Sequence, residues 1–247
     1  KVLRGLGLRD NVLASKAFIN ETTMHREFDT GRLTGQLDHG EEATKRFGAP
    51  YTTWHRGDLH EALADLVPAK VVHRGKHVIG VDPTPAGPVL RFADGSTASA
   101  DVVIGADGVH SVIRSTLFAV TPPRFTDRVA YRAIVSRDAV NEPRLDSSCK
   151  WWGPDRHLVH YYVSGGREIA FTTSVPDATW NVESWSAEGD IDVFREAFKD
   201  FHEYVQKITH TAQVVHRWAI NAHDPLSSWS AGNFVLLGDA CHTVTPY

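Results

Sequence analysis

The chain has 247 residues, 23% of them charged and 42% hydrophobic, with a formal net charge of -4; that length can bury a sizeable core in one large domain or two smaller ones. Lys and Arg are scattered along it, so no basic field marks a nucleic-acid partner. Cys149 and Cys241 stand far apart with no C-x-x-C spacing, which indicates neither a disulfide framework nor a zinc site and fits a reducing, cytoplasmic setting; no apolar run reaches the roughly 18 residues of a membrane span, and no signal peptide opens the chain.

Val2 to Leu8 reads as the last turn of a helix closing on glycines, and Asn11 to Ala17 as a second short helical piece. Gly5 and Gly7 do not start a G-x-G-x-x-G fingerprint, because position 10 is Asp and no strand fits before it. Residues 20–50, with Gly31, Gly35, Gly40 and Gly48, read as surface strands and loops. Trp54 to Leu63 begins a helix with Leu59, Leu63 and Leu66 on one face and with Asp58 and Glu61 in its first turns, where the helix dipole favours acids. Arg56 lies at its start. From Val71 to Ala100 the pattern is a β-meander, with strands at Val78 to Val81 and Val89 to Phe92. His73 and His77 have the spacing of a helical metal pair, but Gly75 and the strand context argue against one, and no metal site is predicted.

Val102, Val103 and Ile104 form an apolar run without polar alternation, which predicts a parallel strand covered on both faces. It breaks at Gly105, Asp107 and Gly108 into a helix whose stripe is Val109, Val112 and Ile113. The unpaired N–H groups at such a helix start suit phosphate or ribose oxygens, and Asp107 either caps the helix or binds a hydroxyl. An Asp-Gly hairpin is the alternative, and the helical spacing from His110 to Leu117 argues against it. Pro122 and Pro123 mark a domain boundary. Residues 129–135, 147–152, 157–163 and 168–175 read as strands of an antiparallel sheet, and Asp190 to Ile208 as one helix with Phe194, Phe198, Phe201, Val205 and Ile208 in a stripe. Gln213 to Ile220 is a further strand. Phe234 to Asp239 repeats the device of a buried strand ending in Gly-Asp, so the chain is expected to return to its first domain.

Three pieces stand in order: His55-Arg56-Gly57-Asp58-Leu59, Gly105-Ala106-Asp107-Gly108 running on to Arg114, and Gly238-Asp239 running through His242 to Pro246. Together, with an antiparallel sheet between the second and third, they resemble the single-component FAD-dependent aromatic hydroxylases of the para-hydroxybenzoate hydroxylase type, particularly the salicylate hydroxylase and 6-hydroxynicotinate 3-monooxygenase branch. The resemblance runs along essentially the whole chain. It implies an α/β fold in which a partial Rossmann-like FAD-binding domain with a β-meander (1–120, resumed at 224–247) flanks an antiparallel or mixed-sheet substrate domain (121–223). It also implies FAD as cofactor, NADH or NADPH as reductant, and O2 and a small aromatic as substrates, the ring being hydroxylated through a flavin C4a-hydroperoxide; the branch leaves loss of a carboxylate open. By position, Arg56 lies along the flavin phosphates and ribityl chain, Asp107 and Gly108 hold the dinucleotide, Asp239 accepts from ribityl hydroxyls, and Pro246 passes beside the flavin ring. Taken singly, Arg56 reads equally as a surface cation, Asp239 as a helix N-cap and Pro246 as a helix start.

Hydroxylation is easier on a phenolate than on a phenol, so a base near neutrality is useful and histidine suits it. On a strand His157, Val159 and Tyr161 point one way, and Leu158, His160 and Tyr162 the other. The branch places a His and a Tyr four residues apart against the substrate, which assigns His157 and Tyr161 to catalysis and substrate binding, with Cys149 across the hairpin as a third substrate contact. Packing aromatics beside a surface histidine are the competing reading, and His242 either approaches the flavin ring or completes a turn. The chain starts without Met, stops soon after a motif and lacks G-x-G-x-x-G, so both ends are expected to be cut from something longer. Rival functions are a flavin epoxidase or tailoring oxygenase on a larger natural product, and a non-catalytic remnant serving as a binding module.

Overall fold

The computed structural model describes residues 1–118, 122–180 and 187–245. The chain opens with α1 (Val2–Gly5) and α2 (Asp10–Lys16), followed by β1 (Ala17–Ile19) and the hairpin of β2 (Thr22–Glu27) and β3 (Leu33–Asp38). Helix α3 (Glu41–Phe47) has Glu41 and Glu42 in its first turn, Lys45 and Arg46 in its last, and ends on Gly48 at φ 74°; these charges complement the helix dipole and the glycine takes the left-handed cap. Strand β4 (Thr52–Trp54) pairs antiparallel with β1 and runs into α4 (Arg56–Ala64). The leucine face expected there stays shallow, with Leu66 exposed and Ala62 the buried residue. The meander forms as β5 (Val78–Thr84), β6 (Gly87–Phe92) and β7 (Thr97–Ser99), and His73 and His77 lie exposed in the turn before it.

Strand β8 (Val103–Gly105) then leads to α5 (Val112–Phe118), confirming the strand-to-helix break over the hairpin alternative. The rest of the chain is β9 (Arg124–Ser136), α6 (Arg137–Val140), β10 (Ser148–Trp152), β11 (His157–Val163), β12 (Glu168–Pro176), β13 (Glu188–Gly189), α7 (Ile191–Ala197), α8 (Glu203–Thr211), β14 (Val215–Ala222), β15 (Ser230–Ala231), β16 (Phe234–Leu236) and α9 (Asp239–His242). The single helix expected from Asp190 to Ile208 is two. Asp190 caps α7 by accepting the backbone N–H of Asp192 at 2.8 Å, and His202 restarts the helix by accepting that of Tyr204 at 3.3 Å. Between them the backbone N–H of His202 donates to the carbonyl of Phe28 at 2.5 Å, a bond to a distant segment that replaces a helical one.

Residues 1–69 with 127–219 form one compact unit, and residues 70–126 with 220–247 a second. This differs from the boundaries expected above, because the β2–β3 hairpin enters the large sheet: β2 pairs in parallel with β10, Met24 beside Cys149 and Lys150 beside His25. The first unit is built on an eight-stranded mixed sheet of order β13-β14-β9-β12-β11-β10-β2-β3. One of its faces is packed by α7 and α8. Phe194 stacks on Phe171 at 5.4 Å and meets Tyr131 at 5.1 Å, while His202 stacks on Trp151 at 5.3 Å. Phe194, Phe198, Phe201, Val205 and Ile208 are all at most 2% exposed, so the stripe survives the helix break as the core of this layer.

The second unit holds the meander and a three-stranded sheet of order β15-β16-β8. Val81, Val103, Ile113, Phe234, Leu236, Ala240 and Cys241 form its core. Only one face of β8 joins it. Val102 and Ile104 are 58% and 63% exposed, against the expectation of cover on both faces, because the pleat turns alternate residues away from Ile113 and Leu236.

Candidate active site

In the second unit β8 and β16 run parallel, Val103 beside Phe234 and Gly105 beside Leu236, so their carboxyl ends open side by side. Ligands of open α/β sheets sit beyond such ends. At the end of β8 a Cβ on Gly105 would meet core side chains, coming within 3.0 Å of Leu236 and 3.1 Å of Ile113, so the glycine lets the strand end pack against the core. Gly108 and Gly238 turn the chain at φ 80° and 64°, conformations that favour glycine. Asp107 acts as the helix cap. Its Oδ2 accepts the backbone N–H of Val112 at 2.8 Å and of Ile113 at 3.3 Å, and its Oδ1 accepts the Ser111 hydroxyl at 2.5 Å. Buried Arg114 donates from α5 to the carbonyls of Cys241 at 2.9 Å and Asp224 at 3.2 Å, tying the helix to α9 and to the loop after β14. Asp239 differs from Asp107. It is exposed, Gly238 and not Asp239 occupies the cap position of α9, and among the described residues its carboxylate accepts no hydrogen bond.

In the first unit Arg56 is exposed at the first position of α4. Its charge is felt by Arg132, whose pKa is lowered to about 10 by burial and by Arg56, against the opposing pull of Tyr161. Pro246 lies outside the described residues.

The sheet register settles which side chains of β11 share a face. His160 lies opposite Cys149 and Phe171, and Leu158 opposite Trp151 and Thr173, all on the face that carries the aromatic helices. His157 lies opposite Trp152 and Ser174, Val159 opposite Lys150 and Thr172, and Tyr161 opposite Ser148 and Ala170, on the face away from α7 and α8. Arg132 extends the Lys150, Val159 and Thr172 row onto β9. The structure therefore brings His157 and Tyr161 together and leaves Cys149 out. Cys149 is fully buried among the core residues, where desolvation pushes its thiol far above the normal range; the residue facing Tyr161 is its neighbour Ser148. Burial, with the charges of Lys150 and Arg128, depresses His157 to about 4, so its imidazole is neutral at pH 7. Burial raises Tyr161 and keeps its phenol protonated, with Arg132 opposing.

Sequence reasoning missed the cations of this face. Arg132 stacks 3.4 Å over the Trp218 ring, and Lys150 lies 3.8 Å over Trp152. Neither was marked in the sequence: Lys150 joins the face of His157 only through the register of the β10–β11 hairpin, and Arg132 reaches the same row only through β12.

The family described as an FAD binding domain matches residues 1–247. The chain belongs to that family. It is 37% identical over 256 residues to 6-hydroxynicotinate 3-monooxygenase of Pseudomonas fluorescens, covering 100% of this chain and 65% of that protein. Among solved structures, Klebsiella pneumoniae HpxO complexed with FAD and uric acid matches at a TM-score of 0.83 and 27% identity, covering 99% of this chain and 62% of the other. A salicylate hydroxylase substrate complex matches at 0.82 and 26%, covering 99% and 64%. The α/β fold of the family, with its mixed sheet, thus extends along this whole chain, which spans just under two thirds of each of these relatives.

Proposed function

We propose that this chain serves a flavin-dependent monooxygenase that hydroxylates a phenolic or hydroxy-carboxylated aromatic ring, with NADH or NADPH as reductant and O2 as co-substrate, in the cytoplasm. The observation that carries the reading is the pairing of His157 and Tyr161 on a cation-bearing sheet face, opposite the face filled by the aromatic helices.

FAD, when bound, supplies electron transfer from the nicotinamide and activation of oxygen. The residues present fit it: an exposed carboxylate at Asp239 with no hydrogen bond among the described residues, and a turn at Gly108, taken at φ 80°, with no atom within 4 Å of where a Cβ would stand. Asp239 accepts from ribityl hydroxyls, and Arg56 offers several donors to phosphate oxygens. Asp107 and Gly108 hold the turn, Asp107 doing so as the cap of α5. Pro246 is assigned beside the flavin ring on the resemblance alone.

The chemistry assigned to the sheet face is proton handling. A neutral His157 accepts the proton of the substrate hydroxyl as the phenolate forms, and the bound anion raises the pKa of the imidazole above its resting value of about 4. Tyr161 donates its O–H to a substrate oxygen and orients the ring. The test is the visible spectrum of the complete protein, followed by NADH consumption with and without 6-hydroxynicotinate or salicylate. A bound oxidised flavin with aromatic-stimulated oxidation supports the reading, and a protein that cannot be loaded with FAD overturns it.

A further inference from the structure

We propose that Lys150 selects an anionic ring substrate by pairing with its carboxylate. The inference rests on the hydroxylase reading and names the substrate class of the same site. Lys150 occupies the middle row of the face that carries His157 and Tyr161: Val159 lies opposite it on β11, between those two residues, and His25 lies opposite it on β2. Its position on the strand therefore points its side chain to the same side as theirs.

Three features make it a receptor for an anion. First, Lys150 is half-buried, and among the described residues no carboxylate pairs with it. Two other shielded cations of this unit do have such partners: Arg26 donates to Asp146 at 2.7 Å, and Arg217 pairs with Asp177. A cation withdrawn from water without a counter-ion is costly, and a bound carboxylate offsets that cost. Second, its ammonium lies 3.8 Å over the ring of Trp152, whose surface is 42% exposed; a flat apolar surface beside a cation matches a planar ring carrying one acid group. Third, its charge reaches His157 and helps to hold that imidazole neutral, so the carboxylate would be held next to the group that takes the hydroxyl proton. Arg132 is placed differently, stacked on Trp218 and coupled to Tyr161 and Arg56. The compounds in the names of two relatives, 6-hydroxynicotinate and salicylate, each carry the acid group that this arrangement suits.

The test compares acids with their uncharged amides on the complete, FAD-loaded protein: dissociation constants for salicylate and salicylamide, and for 6-hydroxynicotinate and its amide, by titration calorimetry. Lys150→Met keeps the aliphatic stem on Trp152 and removes the charge. It is expected to weaken binding of the better acid by about tenfold or more and of its amide by less than about threefold, while Lys150→Arg restores most of the difference. Equal weakening of acid and amide, or an acid preference unchanged in Lys150→Met, overturns the proposal. If the wild-type protein shows aromatic-stimulated NADH oxidation while Lys150→Met keeps its preference, the Lys150 assignment alone falls. If the wild-type protein binds and responds to none of the four compounds, the hydroxylase reading falls and takes this assignment with it.

Discussion

Strand β11 sends two histidines and two tyrosines to opposite faces of one sheet, and both histidines are neutral at pH 7 for the same first cause, burial. Their surroundings differ. His160 is fixed on both ring nitrogens: Trp151 Nε1–H donates to its Nδ1 at 3.2 Å, and its Nε2–H donates to the Asp146 carbonyl at 2.9 Å. That bonding defines one tautomer and leaves no nitrogen for a substrate. His157 shares its face with Tyr161, Lys150 and Arg132, where a titrating group has partners of use to an aromatic anion. A depressed histidine pKa is therefore no mark of catalysis by itself. The face decides.

The largest expected effect lies on the helix-packed face. Phe194→Ala removes a fully buried ring that contacts Tyr131, Phe171 and Phe198 and should cost about 3–5 kcal/mol in urea unfolding; a cost below about 1 kcal/mol would mean that this layer is not the core. On the other face His157→Gln should lower aromatic-dependent turnover roughly 100-fold with little movement of the thermal midpoint. His160→Gln should do the reverse, and equal behaviour of the two variants would erase the distinction between the faces.

Smaller effects separate the two aspartates of the second unit. Asp239→Ala should weaken FAD retention by about tenfold, since it removes a charged acceptor; unchanged affinity would sink its assignment. Asp107→Ala should cost about 1 kcal/mol of stability through the lost cap, and stability equal to wild type would show the cap to be idle. The smallest and most diffuse effect is on pH. Both β11 histidines sit near 4 when folded, below the value of about 6.5 for a free imidazole. The unfolded chain then binds more protons between those values, so stability present above about pH 6.5 is lost as pH falls toward 4. A urea midpoint that stays level from pH 7 to pH 5 would contradict this.

Much of the fold is legible in the sequence because its signals are local. Gly-rich turns and β-branched runs mark β9 to β12, and the helical spacing after Gly108 marks α5. The entry of β2 beside β10 is not legible, since Thr22 to Glu27 shows only half-burial at every position and pairs with a strand far along the chain. The break between α7 and α8 is hidden for a related reason: an unbroken apolar stripe reads as one helix, and a bond to Phe28 interrupts it. At the site, the parity of β11 pairs His157 with Tyr161 from sequence alone. Parity does not say which face the helices cover, and that choice came from the family resemblance. Cys149 went astray because a hairpin offset of one residue moves a side chain to the other face, and the register puts Cys149 opposite His160.

The most direct test of the two-face account is product formation from 6-hydroxynicotinate or salicylate by the complete FAD-loaded protein, compared with its His157→Gln and His160→Gln variants at matched folded fraction. The account predicts hydroxylated product coupled to NADH oxidation in the wild-type protein, its near loss in His157→Gln and its retention in His160→Gln. Equal losses in both variants, or turnover that survives His157→Gln unchanged, would contradict it.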